Sequence, residues 1–555
     1  MRLACYHNRP SETQMRLPSE IWRYSRMVLG VFELVRTPLI ADPAGDIRRQ
    51  MENREANFLD LVRRAIYLNP RSPYYRMLQL AQCEYQDLEQ AVRRDGLEHT
   101  LEALLHAGVY LTQDEMKGKG PIVRAGERIP SEELSYRNPG VAPHIEGQSS
   151  GSRSKGIRMR HGISTQVYWD RYNALLADDL GLRNRAFVAL LPILPSATGI
   201  TTTLRGPQFG WRFERWYAVG GAMRDAGHYR AVTKAMVLLG KVAGSRSPFP
   251  TYLPENDFSP VAEYIARRKA AGKECFLGGV VSPVVRVAAA ALERSLDISG
   301  VIFSVTGEAL TPAKRALLEA VGGRVYPFYA TVDVGPVGYS CRHMNTGNCV
   351  HLFEDSVAAI TRRRLAPLSD LEVNSLLFTT LGPPSPRVVI NAELDDSGII
   401  ERAHCDCAFS RAGLTRQIRD IASFGKLTGQ GMTLAGTDVV RILEEALPRR
   451  LGGSPGDYQL VEKEGPAQTV LMLRVSPRTG LSSPAGVREC FLEELARHRG
   501  WSIAARIFRH SDAVQVIIAE PLATVTGKVL PLHLLHVEEP KQVLKESSAS
   551  AGSPR

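Results

Sequence analysis

The sequence has no apolar run that approaches the ~20 residues that a membrane-spanning helix needs. Its first ten residues, MRLACYHNRP, lack the apolar core of a secretory signal peptide. It has no internal repeat. The net charge of +11 comes without a basic stripe or a known nucleic-acid-binding motif. We therefore expect a cytoplasmic protein with no membrane span, and we do not expect nucleic acid as a partner, because charge alone would support it.

Cysteine is also scarce, with eight residues in 555, and this number in a chain of this size does not predict a disulfide framework. Four of the cysteines stand apart from one another, and we predict small buried thiols at these positions. They are Cys5, Cys83, Cys275 and Cys490. The other four lie close together in the sequence, between positions 341 and 407.

The composition is that of a globular protein, with 44% hydrophobic and 23% charged residues. A chain of 555 residues predicts roughly three or four structural units. The pI of about 9.3 favours anionic partners such as ATP, coenzyme A or phosphopantetheine.

Periodicity along the chain predicts an α/β protein. Residues from about 50 to 110 have helical spacing, and from 187 to 329 short apolar strands alternate with helices. That order favours a mixed or parallel sheet covered by helices. From about 340 to 425 the pattern is mainly β, whereas 196–256 fits neither period.

We therefore predict a large N-terminal domain over 1–425, which ends in a β-rich subdomain. A small α+β domain follows over 426–540, and it includes a predicted strand at 503–509. The last segment, 541–555, is polar and small, and we predict that it is disordered.

A Gly/Ser loop, QSSGSRSKG, occupies positions 148–156. Its backbone N–H groups, its hydroxyls and one lysine suit a phosphate chain. The spacing does not match the G-x-x-x-x-G-K-[ST] phosphate loop. A serine-rich linker would have the same appearance, so this segment alone leaves both interpretations open.

Several further motifs occur along the chain, one before this loop and the others after it. Together they resemble the adenylate-forming superfamily of acyl-CoA ligases and carrier-loading domains, and the phenylacetate–coenzyme A ligase branch looks nearest. The motifs are SPYY at 72–75, the Gly/Ser loop, VTGEAL at 305–310, YATVDVG at 329–335, NAEL at 391–394, GK at 425–426 and TVTGK at 524–528. The resemblance covers about residues 55 to 535 and is weakest over 196–256.

The resemblance implies a nucleotide site. The β- and γ-phosphates of ATP would lie in the Gly/Ser loop, and the Gly307 motif and the Tyr329 motif would meet the adenine. The implied residues are Ser149, Ser150, Gly151, Ser152 and Lys155 for the phosphates, and Gly307, Glu308, Ala309, Tyr329, Ala330 and Thr331 for the base.

Four single residues complete the implied site. Asp333 would bind Mg²⁺, a cation that prefers carboxylate oxygen. Glu393 would accept hydrogen bonds from the ribose, and Lys426 would be the hinge before the small domain. Lys528 would neutralise the charge that grows between the acid and the α-phosphate, which is an electrostatic catalytic role. An exposed lysine in a glycine turn is the alternative for Lys528.

The sequence departs from the family pattern at these same positions. Val332 replaces a threonine whose hydroxyl touches phosphate, and Asp333 and Glu393 exchange the usual carboxylate lengths. Lys426 replaces arginine, and Thr428 and its neighbour Gly429 replace hinge acids. These changes leave open altered chemistry, or a protein that binds nucleotide without efficient adenylation.

A cysteine–histidine group predicts a second, metal-binding site. Thiolates suit Zn²⁺, and some members of the phenylacetate-ligase branch have Cys, His and a Cys-x-Cys pair in this order as a structural zinc site. The resemblance makes Cys341, His351, Cys405 and Cys407 the ligands. The remaining alternatives are a group of buried thiols, or a ligand set that uses His343, Cys349 or His404.

The predicted function is ATP- and Mg²⁺-dependent activation of an aryl or acyl carboxylic acid to an acyl-adenylate. Transfer to a thiol follows, and the thiol belongs to coenzyme A or to the phosphopantetheine of an acyl carrier protein. The alternatives are an adenylating enzyme with an amine or other acceptor, and a degenerate nucleotide-binding protein with weak or no ligase activity.

Overall fold

The structure is a computed structural model. It describes residues 30–131, 136–148, 158–219, 227–254, 257–344, 347–365, 372–423, 428–429, 432–433, 436–464, 469–497, 505, 508–509, 514–524 and 527–535.

A group of short helices occupies the first part of the described residues, beginning with 30–36. Asp42 caps the helix that follows with its side chain, and Pro43 occupies its first turn, where a missing N–H costs nothing. Apolar residues at helical spacing, such as Phe58, Leu61 and Ile66, are buried. The helical segments are Pro43–Glu52, Arg54–Val62, Arg63–Tyr67, Pro73–Leu80, Tyr85–Asp95, Leu97–His106 and Gln113–Met116.

Three minor β pairings accompany this region. Strand β1 joins the main sheet beside β16, β2 pairs with β3, and β4 pairs with β5. Their bounds are β1 Leu111–Thr112, β2 Ile122–Arg124, β3 Glu127–Ile129, β4 Ile145–Gln148 and β5 Arg158–His161.

Six strands then run parallel, and helices connect them. Strands β6 and β9 are buried along their whole length, as expected of parallel strands with both faces covered. The strands are β6 Ala186–Leu190, β7 Arg212–Ala218, β8 Pro250–Tyr252, β9 Cys275–Val280, β10 Ile302–Thr306 and β11 Arg324–Thr331. The helices are Ile163–Asp179, Leu182–Asn184, Thr198–Arg205, Gly206–Phe209, Gly227–Val242, Ser259–Ala270, Val281–Glu293 and Pro312–Ala320.

Antiparallel strands extend the same sheet from β11 onward. They are β12 Gly335–Tyr339, β13 Val350–Leu352, β14 Val357–Leu365, β15 Glu372–Thr380, β16 Ala392–Arg402 and β17 Arg416–Ser423, with the short helix Ala408–Arg411 before β17. The order across the sheet is β14-β15-β16-β17-β13-β12-β11-β10-β9-β6-β7-β8. The β-rich part is therefore continuous with the parallel part through the β11–β12 pairing.

A second, four-stranded sheet forms the small domain, which we define as the described residues from 436 to 535. Its order is β22-β21-β20-β23, and a hydrophobic core of its own lies beneath it. The strands are β18 Thr428–Gly429 and β19 Met432–Thr433, which form a separate ribbon, and β20 Tyr458–Glu464, β21 Thr469–Val475, β22 Val514–Ile518 and β23 Leu532–Leu535. The helices are Gly436–Arg441, Ile442–Ala446, Leu447–Leu451, Pro477–Thr479 and Pro484–Arg497.

The structure confirms the predicted fold class, a large mixed sheet with helices and a separate smaller sheet domain. The segment 196–256, which fits neither period, contains strands β7 and β8 with the helix Gly227–Val242 between them, and Trp211, Trp216 and Tyr217 are buried. Residues 505, 508 and 509 are helical, so a strand at 503–509 is wrong. The predicted β-rich part is continuous with the parallel strands in the main sheet.

None of the helices within the described ranges combines the length and the hydropathy needed to cross a bilayer.

Candidate active site and metal centre

The Gly307 motif lies where strand β10 ends. Gly307 has φ +81°, a conformation that L side chains rarely adopt, and it turns the chain toward the helix that starts at Pro312. Thr311 caps that helix by accepting a hydrogen bond from the Lys314 N–H. The ends of parallel strands are where α/β proteins bind ligands, because the sheet fixes the backbone and the loop leaves polar groups free. Gly307 and Ala309 are exposed at this end.

The turn that carries Lys528 comes from the small domain and rests against the large one. The Thr524 N–H donates to the Lys528 carbonyl at 2.8 Å, and the Lys528 N–H donates to Thr524 Oγ1 at 3.1 Å. Gly527 has φ +81°, and a Cβ atom there would lie 2.3 Å from Val219 Cγ1. Only glycine fits this contact, because the backbone of the turn touches the large domain directly.

This contact brings two distant motifs together. A Cβ atom built on Gly307 would lie 3.2 Å from Lys528 Cε and 3.5 Å from its Nζ. Burial lowers the pKa of Lys528 below the ordinary lysine value of 10.5, and the charge of Glu308 opposes that shift. The ammonium group of Lys528 therefore lies at the end of strand β10 with Glu308 as a nearby anion.

Glu308 itself is held from several sides. Its side chain is 3% exposed, the Ser282 hydroxyl donates to it, and Lys314 Nζ lies 3.8 Å from its Oε2 atom. Burial raises the pKa of Glu308, and Lys314 and the Ser282 hydrogen bond counter the shift. The Ser282 hydroxyl also lies 3.2 Å from the Val529 carbonyl of the small domain, so Glu308 is positioned by groups from both domains.

Tyr329 lies near the end of strand β11, and its hydroxyl donates to Asp396 Oδ2 at 2.6 Å. Burial raises the pKa of Tyr329 and Asp396 raises it further, so the phenol remains a neutral donor. The ring stands at 6.0 Å from that of Phe378. Asp396, from strand β16, thus fixes the orientation of the ring predicted to meet adenine.

The turn after Tyr329 holds Ala330, Thr331 and Asp333. Ala330 is exposed, and Thr331 accepts a hydrogen bond at Oγ1 from the Val334 N–H at 3.2 Å. Asp333 is 7% exposed, and its Oδ1 forms an ion pair with Arg387. One carboxylate together with substrate phosphates is a usual Mg²⁺ environment, so the residue type fits. A cation at this Oδ1 has to share it with Arg387.

Glu393 is fully buried on strand β16. Arg364 Nη1 lies 3.0 Å from its Oε2, and its Oε1 has no hydrogen-bond partner. Strand β1 lies alongside, where Thr112 pairs with Glu393. An ion pair thus already engages the carboxylate predicted for the ribose.

Six predicted residues lie outside the described residues: Ser149, Ser150, Gly151, Ser152, Lys155 and Lys426. Their roles stay predictions.

The four predicted zinc ligands come together, with their ligand atoms all within 4.8 Å of one another. Cys405 Sγ lies 3.9 Å from Cys341 Sγ and 3.7 Å from Cys407 Sγ. His351 Nε2 lies 3.2 Å from each of Cys405 Sγ and Cys407 Sγ. A tetrahedral zinc with bonds of about 2.3 Å to sulfur and 2.0 Å to nitrogen separates its ligand atoms by roughly 3.5–3.8 Å. The donor set and its spacing therefore fit Zn²⁺.

Neighbouring groups orient these ligands. His351 Nδ1 lies 3.1 Å from the Leu414 carbonyl, which leaves Nε2 directed at the sulfur atoms. Asp179, at the end of helix Ile163–Asp179, accepts hydrogen bonds from the N–H groups of Arg342 at 2.8 Å and Ala408 at 2.9 Å. One buried carboxylate thus ties the segment after Cys341 to the segment after Cys407.

The thiols differ in acidity. Hydrogen bonding from Cys341 lowers the pKa of Cys407, with a further contribution from His351. The same Cys341–Cys407 contact raises the pKa of Cys341. Cys349 is buried, and burial raises its pKa to about 12. Among the described residues, the cysteine–histidine group that could hold a metal does not include the alternative ligands His343, Cys349 and His404.

Sequence reasoning missed the partners of the predicted residues. None of the recognised motifs includes these partners, which are Arg387, Arg364 and Asp396. Strand pairing and the placement of turns bring them to the predicted residues. Lys314 and Glu444 form an ion pair across the two domains, and no sequence signal connects them.

A scan against models of protein families found no match, and a search of curated proteins found none either. Among solved structures, the chain is similar to 2-hydroxyisobutyryl-CoA ligase in complex with 2-HIB-AMP and CoA, at 14% identity and TM-score 0.47, over 90% of this chain and 92% of that one. It is also similar to O-succinylbenzoate coenzyme A synthetase from Bacillus subtilis in complex with ATP and magnesium, at 12% identity and TM-score 0.42, over 78% and 81%. Acetoacetyl-CoA synthetase from Streptomyces lividans follows at 14% identity and TM-score 0.41, over 79% and 62%.

Proposed function

We propose that the chain is an AMP-forming acid–thiol ligase of the phenylacetate–coenzyme A ligase type. The observation that carries the proposal is the position of Lys528. A lysine from the small domain reaches the end of strand β10, beside the exposed backbone of Gly307 and near Glu308. A cation enclosed at the edge of a parallel sheet suits a reaction in which two anions have to approach each other.

In the first half-reaction, a carboxylate oxygen of the acid attacks the α-phosphorus of ATP, and pyrophosphate leaves. The Lys528 ammonium neutralises negative charge shared between the two reactants. Asp333 would hold Mg²⁺, which offsets the charge of the leaving pyrophosphate. Tyr329, oriented by Asp396, supplies an aromatic face for the base.

In the second half-reaction, a thiolate attacks the acyl carbon and AMP leaves. Coenzyme A and carrier-protein phosphopantetheine end in the same thiol, so both are proposed acceptors. The proposed substrate is an aryl or acyl carboxylic acid. Rotation of the small domain about Lys426 would exchange Lys528 for the thiol.

The cysteine–histidine group is proposed to hold a structural zinc. Four protein ligands leave no open coordination position, so the ion would join strand β13 to the segments around Cys341 and Cys407 and take no part in the chemistry.

A second candidate function is nucleotide binding without efficient ligation. The ion pairs Asp333–Arg387 and Glu393–Arg364 favour it, because they engage two carboxylates that the ligase proposal needs for Mg²⁺ and ribose. Val332 adds to this candidate, since it provides no hydroxyl for a phosphate.

Carboxylate-dependent exchange of labelled pyrophosphate into ATP tests the ligase proposal. A panel of aryl and acyl acids is supplied to the purified chain, and we expect exchange with at least one acid. Lys528→Ala should lower that exchange about 10²- to 10³-fold, because one electrostatic group at the reacting centre is lost. The exposed Lys273→Ala is the matched control and should keep wild-type exchange.

The two candidates give different results in this assay. ATP binding in calorimetry with no exchange for any acid supports the nucleotide-binding protein and overturns the ligase. Exchange that Lys528→Ala leaves at the wild-type rate removes the role proposed for Lys528.

A further inference from the structure

We propose that Lys314 and Glu444 form a buried latch that holds the small domain in the position where Lys528 lies beside Gly307. Both would then be positioning residues for adenylation, acting through Lys528. The functional part of this inference rests on the proposed ligase activity, whereas the latch itself rests on the contacts between the two domains.

The latch is a compact ion pair between elements of different domains. Lys314 belongs to helix Pro312–Ala320 of the large domain, and Glu444 belongs to segment Ile442–Ala446 of the small domain. Lys314 Nζ lies 2.8 Å from Glu444 Oε1, and the side chains are 3% and 2% exposed. The Thr311 hydroxyl donates to Glu444 Oε2 at 2.5 Å. Two groups of the large domain thus bind one carboxylate of the small domain.

The cluster brings two cations and two carboxylates together when the domains are docked. Lys314 lies between Glu444 at 2.8 Å and Glu308 at 3.8 Å, and Lys528 supplies a second cation near Glu308. Burial acts to lower the pKa of Lys314, but the two carboxylates more than offset it and the pKa is raised. If the small domain leaves, Glu444 loses its partners, whereas Lys314 keeps Glu308.

Other contacts between the domains do not use Glu444. Arg286 Nη2 lies 3.8 Å from Glu520 Oε2, and the Ser282 hydroxyl lies 3.2 Å from the Val529 carbonyl. Pro283 touches the Gly527 turn. Removing the charge of Glu444 is therefore expected to loosen the docking of the small domain while each domain keeps its fold.

Weaker docking of the small domain affects the two proposed half-reactions differently. Adenylation requires Lys528 at the site, so it slows when the docked state is less populated. Thioester formation from a supplied acyl-adenylate requires Lys528 to leave, so it is not slowed. A residue that merely stabilises the fold would lower both rates together.

The test compares Glu444→Gln with Glu445→Gln, its half-buried neighbour in the same segment. Hydrogen exchange read by mass spectrometry on the peptide that contains Gly527 and Lys528 reports docking without any substrate. We expect Glu444→Gln to speed hydrogen exchange in this peptide about 10- to 100-fold. This factor corresponds to the free energy typically lost with a hydrogen bond to a charged group. Pyrophosphate exchange should fall by a similar factor, with thioester formation from acyl-adenylate undiminished, and Glu445→Gln should match wild type.

The outcomes separate the latch from the ligase proposal. Unchanged hydrogen exchange in Glu444→Gln overturns the latch, whatever the activities. Faster hydrogen exchange with both half-reactions lowered equally overturns the positioning role. If the wild-type chain shows no pyrophosphate exchange with any acid, the ligase proposal is overturned. Hydrogen exchange then still decides whether the latch exists. Lys314→Met provides a second variant, and its effect should not add to that of Glu444→Gln.

Discussion

The predicted site residues contact side chains that are distant in the chain. Asp333 pairs with Arg387, Tyr329 donates to Asp396, and Lys528 lies near Glu308. Each predicted residue has the type that its proposed role needs. The partner, however, determines whether the charged group of the predicted residue is available to a ligand. That partner lies on another strand or in another domain.

The pH dependence of activity should report Lys528. Its pKa is lowered below 10.5 by burial, and the proposed role needs the cation, so kcat/KM for pyrophosphate exchange should fall as the pH rises through a value below 10.5. A lysine with a lowered folded pKa favours its neutral form. The stability contributed by this group therefore rises with pH between the folded pKa and 10.5, opposite to the activity.

Substitution identifies the group responsible for that fall. Arginine remains charged across this range, so Lys528→Arg should move the alkaline limb to higher pH, at a reduced maximal rate. Lys273→Arg, at an exposed position, should keep the wild-type profile. An identical alkaline limb in Lys528→Arg would assign it to another group.

At the level of elements, the cysteine–histidine group depends on three separate segments that meet. Strand β13 supplies His351, the segment after β12 supplies Cys341, and the segment before helix Ala408–Arg411 supplies Cys405 and Cys407. Three of the four ligands are buried, and their thiolates would repel one another without a cation, so we expect a bound metal to stabilise this junction.

Metal analysis checks this arrangement. We expect one zinc per purified chain and a loss to background in Cys407→Ser, because a tetrahedral site loses one of its four ligands. Cys275→Ser removes a buried thiol from strand β9, outside the group, and should keep its zinc. A wild-type chain without stoichiometric zinc contradicts the prediction.

Asp179 links the same segments from behind. Asp179→Ala leaves the N–H groups of Arg342 and Ala408 without their acceptor, and we expect a loss of about 3 kcal/mol in the free energy of unfolding. Zinc affinity should fall about 10- to 100-fold, as for other groups that orient metal ligands. Denaturant unfolding and competition with a chelator measure the two effects.

The neighbouring aspartate is the control for this variant. Asp178 forms an exposed pair with Arg183, and its side chain lies away from the metal group. Asp178→Ala should cost less than about 1 kcal/mol and leave the zinc affinity unchanged. Equal effects of Asp178→Ala and Asp179→Ala would show that Asp179 has no special role.

At the scale of the whole molecule, the two domains have separate cores and a junction that includes polar contacts. The small sheet buries Leu460 and Leu473 in its own cluster, and no residue of the large sheet belongs to that cluster. The contacts across the junction include the Lys314–Glu444 ion pair and the Ser282–Val529 hydrogen bond, beside the apolar contacts of the Gly527 turn. Interfaces of this kind allow domains to move relative to each other.

Core substitutions should therefore act within one domain. Leu473→Ala should destabilise the small domain by about 2–5 kcal/mol, measured by hydrogen exchange in strands β20 and β21. Exchange in strands β9 and β10 and the zinc content should stay at wild-type values. Leu277→Ala in strand β9 is the reciprocal variant, and global unfolding in either case would show that the domains fold as one unit.

The fold class and the types of the site residues follow from the sequence. Alternating apolar strands and helices predict a layered α/β chain, and the order of short motifs predicts which residues meet. Periodicity failed over 196–256, where strands β7 and β8 alternate with helices, and over 503–509, where short apolar runs suit either state.

Which charges face each other depends on the folded arrangement of strands and domains. The Arg387–Asp333, Arg364–Glu393 and Lys314–Glu444 pairs join residues far apart in the chain, and strand order and domain docking bring them within reach. Local spacing contains no record of such contacts, because Coulomb attraction depends on distance and burial in the folded molecule. Lys528 shows this directly, since its charge meets Glu308 only where the small domain touches the end of strand β10.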